Sequence, residues 1–146
     1  MPKYPKHFVL TVLLLMLTLI DKAYAQQGKL HIKITDIQEY SGRMQIGIYN
    51  NPDDFPIDGQ EYQIIYLPVQ GNEVSHTVKA LPQGEYAVAF YHDINMDSVC
   101  NLNFLGIPKE GYGFSRNYRP KFRAPVFEET VITVDDSTYV EMTPIY

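Results

Sequence analysis

The chain has one cysteine, Cys100, and no tryptophan. A single cysteine excludes an intramolecular disulfide, so packing, or packing with a metal, must hold the fold together. Positive charge is also scarce. After residue 25 the sequence carries 9 Lys and Arg against 16 Asp and Glu, a net charge of −7. That balance argues against nucleic acid as a partner, because phosphate binding takes clustered positive charge. Beyond residue 25 there is no run of the roughly 20 apolar residues that a membrane helix requires. Amphipathic helical periodicity is missing too, which points away from a helical bundle.

What is present starts with a targeting pattern. Lys3 and Lys6 precede an uncharged run of 13 residues, 8–20, apolar except for Thr11 and Thr18, and Ala23-Tyr24-Ala25 supplies a small-residue cleavage site. Residues 1–25 are expected to be a signal peptide and 26–146 a single exported domain, either periplasmic or extracellular, with outer-membrane association an open alternative. The competing reading is an uncleaved N-terminal anchor.

Alternation dominates residues 26–146. Leu30, Ile32 and Ile34 alternate with His31, Lys33 and Thr35; Met44, Ile46 and Ile48 repeat the pattern after Ser41-Gly42. Tyr86, Val88, Phe90 and His92 share one face after the Pro82/Gly84 turn. Such a period of two marks half-buried strands. The Pro/Asp-rich stretch 50–60 reads as a crossover rather than a hairpin connection. The last two strands are expected in VFEETVITVD and STYVEMTPIY. The expectation is an all-β fold: a seven-stranded antiparallel two-sheet sandwich with one long loop, burying Ile32, Ile34, Ile46, Ile48, Val88 and Phe90.

That loop holds the chemistry. Asp93, Asn95 and Asp97 occupy alternate positions and Asn101 follows at the ninth. Oxygen ligands at positions 1, 3, 5 and 9 are the first part of an EF-hand-type Ca²⁺ loop, with the carbonyl of Val99 at position 7. Ser98 stands where such a loop has glycine, and Phe104 where it has a bidentate glutamate; Glu110 or an acid from 50–60 could add a third charge. The set Asp93, Asn95, Asp97, Val99 and Asn101 is therefore a candidate for weak Ca²⁺ binding. The competing readings are an Asx-turn loop bonding its own amides, or another metal. Cys100 falls at the position that points at the core, so it reads as packing. His92 reads as a buried strand-end histidine hydrogen-bonded to the loop. A hydrolytic or metal-dependent enzyme centred on His92, Asp93 and Asp97 is the alternative from another class, with no HExxH or G-x-S-x-G pattern around His92 or Ser115 to support it.

Next to this, Gly106, Gly111 and Gly113 punctuate an aromatic stretch. Phe104, Tyr112 and Phe114 either form a small core over one end of the sandwich or, with Arg116, present a ligand-binding loop to an envelope protein or glycan. Arg116, Arg119, Lys121 and Arg123 either neutralise the acidic loop or meet an anionic surface.

Three stretches carry a resemblance. LPQGEYAVAFYHD with its following N-x-D, NFLGIPKEGYGFS, and the later Phe122, Pro125, Phe127 and Glu128 resemble the bacterial domain of unknown function family 2141 across essentially all of residues 26–146. The resemblance implies a small exported protein with an immunoglobulin-like or transthyretin-like sandwich and no established activity. It also implies that Asp93, Asn95, Asp97 and Asn101 match a fuller acidic loop found in many members. The L-P-x-G-x-Y turn is similar to that of carboxypeptidase-regulatory and collagen-adhesin B-type domains, which are mostly adhesive or structural. Together these imply a non-catalytic binding or structural module.

Overall fold

The computed structural model describes residues 26–146; the expected signal peptide, 1–25, lies outside the described residues. Eight strands follow in order: β1 (Gln27–Ile34), β2 (Arg43–Tyr49), β3 (Gln63–Pro68), β4 (Val74–Pro82), β5 (Gly84–Asp93), β6 (Tyr112–Phe114), β7 (Ile132–Val134) and β8 (Thr138–Met142). They make two sheets packed as a sandwich, one in the order β4-β1-β8 and one in the order β3-β2-β5-β6 with β7 also paired to β5.

The alternating residues fill the space between the sheets. Ile32, Ile34, Ile46, Ile48, Val88 and Phe90 are all buried, in one cluster with Leu30, Met44, Leu81, Tyr86, Val134 and Met142. Burying side chains of this size, at about 1.5–3 kcal/mol each, is what closes a sandwich that has no disulfide.

Four details differ from the sequence expectation. An eighth strand, β6, forms inside the long loop because Gly113 lets the chain approach β5; a Cβ there would meet the Phe90 ring at 2.6 Å. Strands β1 and β8 pair in parallel, the other pairs being antiparallel. Residues 50–60 are no crossover: β2 and β3 are antiparallel neighbours, from Arg43↔Pro68 to Ile48↔Gln63. VFEETVITVD begins not as a strand but as a single helical turn, α1 (Phe127–Thr130), in which the Glu129 carboxylate accepts from the Val126 amide.

Alternation predicts half-buried strands, yet β2 and β5 are buried on both faces. The core takes Met44, Ile46, Ile48 and Val88, Phe90, His92. The opposite face carries Gln45, Gly47, Tyr49 and Ala87, Ala89, Tyr91, Asp93, and the chain between β5 and β7 lies over it. Phe55 and Phe127 pack edge-on to each other there, with Tyr49 and Phe114 around Phe55.

The turn into β2 depends on Gly42. Its φ is +68°, and a Cβ would run into the backbone carbonyl of Asp93 and the backbone of Ile94. Gly42→Ala is expected to lower unfolding free energy by more than about 1 kcal/mol, since both the left-handed φ and the backbone contact oppose it. Urea unfolding measures this, and an unchanged midpoint would show that the turn relaxes freely.

Candidate functional site

Adjacent residues of a strand point to opposite faces. His92 therefore enters the core while Asp93 enters the face beneath the long loop, and both are 0% exposed. His92 donates through Nε2 to the carbonyl of Ser41 at 2.8 Å, leaving Nδ1 buried without a partner. The sheet thus separates His92 from Asp93, and the exposed Asp97 lies beyond. The three do not meet in a solvent-reachable cleft.

Asp93 is the anchor of the loop. It sits directly opposite Arg43 in the β2–β5 register, and Arg43 bonds it through Nε at 3.0 Å and Nη2 at 2.9 Å. Its two oxygens also accept from the amides of Asp97 and Ser98, each at 3.1 Å. The guanidinium further donates to the Ser98 hydroxyl and lies 4.6 Å from the Tyr66 ring centroid. Glu110, itself buried, accepts from the amides of Ile94 at 3.2 Å and Asn101 at 3.4 Å. It is the third carboxylate expected near the loop.

Asp97 organises the outer turn. Its carboxylate takes the side-chain amides of Asn101 at 3.1 Å and Asn95 at 2.8 Å, and the Val99 amide at 2.9 Å. Donation from Asn101, then Val99 and Asn95, holds its carboxyl below the usual range. Ser98 has φ +64°, the left-handed region that glycine would supply at this place in a Ca²⁺ loop. The turn is therefore kept while the ligand geometry differs. Asn95 and Asn101 turn N–H groups toward Asp97, and the Arg43 guanidinium occupies Asp93. Among the described residues, no three His, Cys, Asp or Glu side chains gather as a metal-binding group. As placed, Asp93, Asn95, Asp97, Val99 and Asn101 form a turn held by its own hydrogen bonds, with Arg43 paired to Asp93.

The expected ligand loop divides. Tyr112 and Phe114 pack edge-on at 6.0 Å, and Phe114 meets Phe55 at 6.2 Å. Phe104 is 94% exposed, and Arg116 stands in solvent. Ser115 is fully buried, its hydroxyl joining the Val88 amide to the Thr130 carbonyl. Of the basic run, Arg123 pairs with Glu129 at 2.8 Å, and Arg116, Arg119 and Lys121 are exposed.

Between the outer face of β2 and β5 and the long loop lies a groove of about 530 Å³. Its floor is polar. Tyr91 donates to Gln45 at 2.7 Å, Gln45 donates to Asp58 at 3.2 Å, and the Tyr49 hydroxyl lies 3.2 Å from Glu61. Burial, with the nearby carboxylates, pushes both phenols up: Glu61 and Asp58 act on Tyr49, Asp58 and Asp93 on Tyr91. Leu102, Leu105, Ile107, Pro108 and Phe122 line its walls and mouth, together with Tyr112 and Phe114. Cys100, half-buried as expected of a packing residue, also lines it; burial pushes its thiol up to about 11, so it stays protonated at neutral pH. His92, Asp93, Asp97, Phe104 and Arg116 do not line the groove. Sequence reasoning missed Gln45, Tyr49, Tyr91, Asp58 and Glu61. A polar signal did exist: Gln45 and Tyr91 interrupt neither strand, yet lie on the face that alternation assigns to solvent.

A family model described as an uncharacterised protein conserved in bacteria (DUF2141) matches residues 32–141. No curated protein and no solved structure matches. The matched span covers most of the sequence, and the chain belongs to that family.

Breaking the anchor should loosen the loop. Arg43→Met leaves the Asp93 carboxylate buried without its counter-charge, and is expected to cost about 2–3 kcal/mol, below the 3–5 of a fully buried pair because Arg43 reaches solvent. Arg43→Lys should recover only part, since an ammonium lacks the planar fork. Denaturant unfolding reads both, and an unchanged Arg43→Met midpoint would mean the Asp97 and Ser98 amides suffice to hold Asp93.

Proposed function

From membership in this family, we propose that the chain is an exported, non-catalytic β-sandwich module of the cell envelope that binds a ligand in the groove between its five-stranded sheet and the long loop. The carrying observation is the groove's make-up. A hydrogen-bonded floor of Tyr49, Gln45 and Tyr91 lies beneath apolar walls that end in exposed Leu102, Leu105 and Phe122. Concave apolar walls with a few fixed polar groups are the usual composition of a ligand site, and about 300–1,000 Å³ is the usual size of one for small molecules. That size favours a small ligand over an extended protein or glycan contact. Export rests on the targeting pattern of residues 1–25.

Phe122 and Leu105 touch the groove but contribute little to the core, being 99% and 67% exposed. With Nile red, a neutral polarity-sensitive dye, the purified protein is expected to show saturable fluorescence enhancement. Phe122→Ala and Leu105→Ala should weaken it several-fold while shifting stability by no more than about 0.5 kcal/mol. Dye binding absent, or indifferent to both substitutions, would remove the groove from the reading.

Calcium enters this reading only as a competitor of Arg43. To bind at 93–101 it must displace the guanidinium from Asp93 and turn the side chains of Asn95 and Asn101. Melting curves in EDTA and in millimolar calcium are accordingly expected to superimpose. A rise of a few degrees with calcium, about 1.4 kcal/mol for a Kd near 10⁻⁴ M, would show that the cation wins that competition.

A further inference from the structure

Both signs of charge line the groove: Asp58, exposed, and Glu61, half-buried, on one wall, and Lys121 and Arg123 on the other. Among the described residues neither Asp58 nor Glu61 forms a salt bridge. Each already accepts one neutral donor, Gln45 for Asp58 and Tyr49 for Glu61. A carboxylate oxygen has lone pairs beyond one such bond, so both keep acceptor capacity toward the groove. Of the two cations lining the groove, Arg123 is bound to Glu129, and Lys121 is exposed and forms no salt bridge among the described residues. The aromatic rings of Tyr49, Tyr91, Tyr112 and Phe122 line the same groove. Ring faces carry negative quadrupole potential and attract cations, most strongly where water is excluded. Gly47 lets Glu61 and Tyr49 pack directly on the strand backbone, where a Cβ would meet Glu61 Cγ at 2.8 Å and the Tyr49 ring at 2.9 Å.

We infer that the groove receives a protonated amine carried on an apolar or aromatic body, its ammonium bonded to Asp58 and Glu61 and its body lying against the tyrosines and Phe122. This rests on the groove being the binding site, and it adds which chemistry that site selects. The ammonium donates the hydrogen bonds that the two carboxylates can still accept, and it neutralises a pair of like charges that have no counter-ion. A carboxylate-bearing ligand of the same shape meets repulsion at the floor, and a neutral one leaves the charges uncompensated.

The test compares three probes of one shape: phenethylamine, 2-phenylethanol and hydrocinnamate, each displacing Nile red from the purified protein at neutral pH. A charge-assisted hydrogen bond exceeds a neutral one by about 1–1.5 kcal/mol, so phenethylamine should compete about tenfold or more better than the alcohol, and hydrocinnamate worst. Combining Asp58→Asn with Glu61→Gln preserves shape and most hydrogen bonds. It should erase the amine preference while Nile red still binds, and added salt should reduce the preference in the unsubstituted protein. Equal competition by amine and alcohol, or a preference that survives the double substitution, overturns the inference and leaves the groove as a site for neutral ligands. Failure of Nile red to bind the unsubstituted protein would instead overturn the groove reading itself, and this inference with it.

Discussion

A carboxylate with no access to solvent stands at the end of the central strand, and the arrangement around it determines the functional end of the molecule. Leaving Asp93 uncompensated in the interior would cost several kcal/mol. The β2–β5 register answers by placing Arg43 directly across from it, and the loop answers by turning the Asp97 and Ser98 amides inward. Both responses constrain the chain. The first fixes β2 against β5, and the second fixes the path of residues 94–98. Glu110 then ties the amides of Ile94 and Asn101 to the return leg, which leads into β6. Three carboxylates, Asp93, Asp97 and Glu110, thus order the loop through hydrogen bonds that the chain supplies itself.

An ordered loop is what makes the outer face of β2 and β5 a partly enclosed surface. In most antiparallel sandwiches that face would meet water and carry polar residues. Here Gln45, Tyr49 and Tyr91 stay polar but are buried, so each must find a partner, and they find one another and the acids of 57–61. The apolar residues of the loop do not close down completely on this floor. Leu102, Leu105 and Phe122 remain exposed along the mouth of the groove, although Phe55, Phe114 and Phe127 nearby pack into a small aromatic core. The floor of satisfied polar groups and the walls of unsatisfied apolar ones are properties of one surface, and burying the walls is the remaining gain open to it.

How far the sequence carried this can be followed residue by residue. The core was legible, because Ile32, Ile34, Ile46, Ile48, Val88 and Phe90 announce themselves by a period of two, and one face of each strand had to be inside. The burial of His92 was legible for the same reason, but its partner was not: its side chain bonds the Ser41 carbonyl rather than the expected loop. The separation of His92 from Asp93 was legible too, since neighbours on a strand cannot share a face. The groove was not legible. Alternation says which residues share a face but not whether a distant loop covers it, so Gln45 and Tyr91 read as solvent-facing. The parallel pairing of β1 with β8 joins residues more than a hundred positions apart, beyond any local pattern. Helix α1 is four residues long, too short to show a helical period, and its cue was the acidic pair Glu128 and Glu129 in a first turn. At Asp93, Asn95, Asp97 and Asn101 the spacing marked a tight loop, in which Asp93 and Asp97 accept backbone amides while Asn95 and Asn101 direct side-chain N–H groups at Asp97. What spacing alone did not reveal was Arg43, brought to Asp93 from fifty residues upstream.

The anchor and the groove share one segment of chain, and that sharing has a thermodynamic consequence. Residues 94–98 are fastened at Asp93, while residues 100–108 continue from them to line the groove through Cys100, Leu102, Leu105 and Ile107. A ligand held against those walls gains only if they stay in place. Any free energy that fixes the loop at Asp93 therefore appears in the ligand's affinity, and the ligand in turn stabilises the loop by the same amount. Neither Arg43 nor Asp93 lines the groove, yet a pair that fixes the loop would lower the ordering cost of any ligand held there. A loop built this way has no need of a cation or a disulfide to be preorganised. That accords with a sequence that has one cysteine and a fold that sets Arg43 against Asp93.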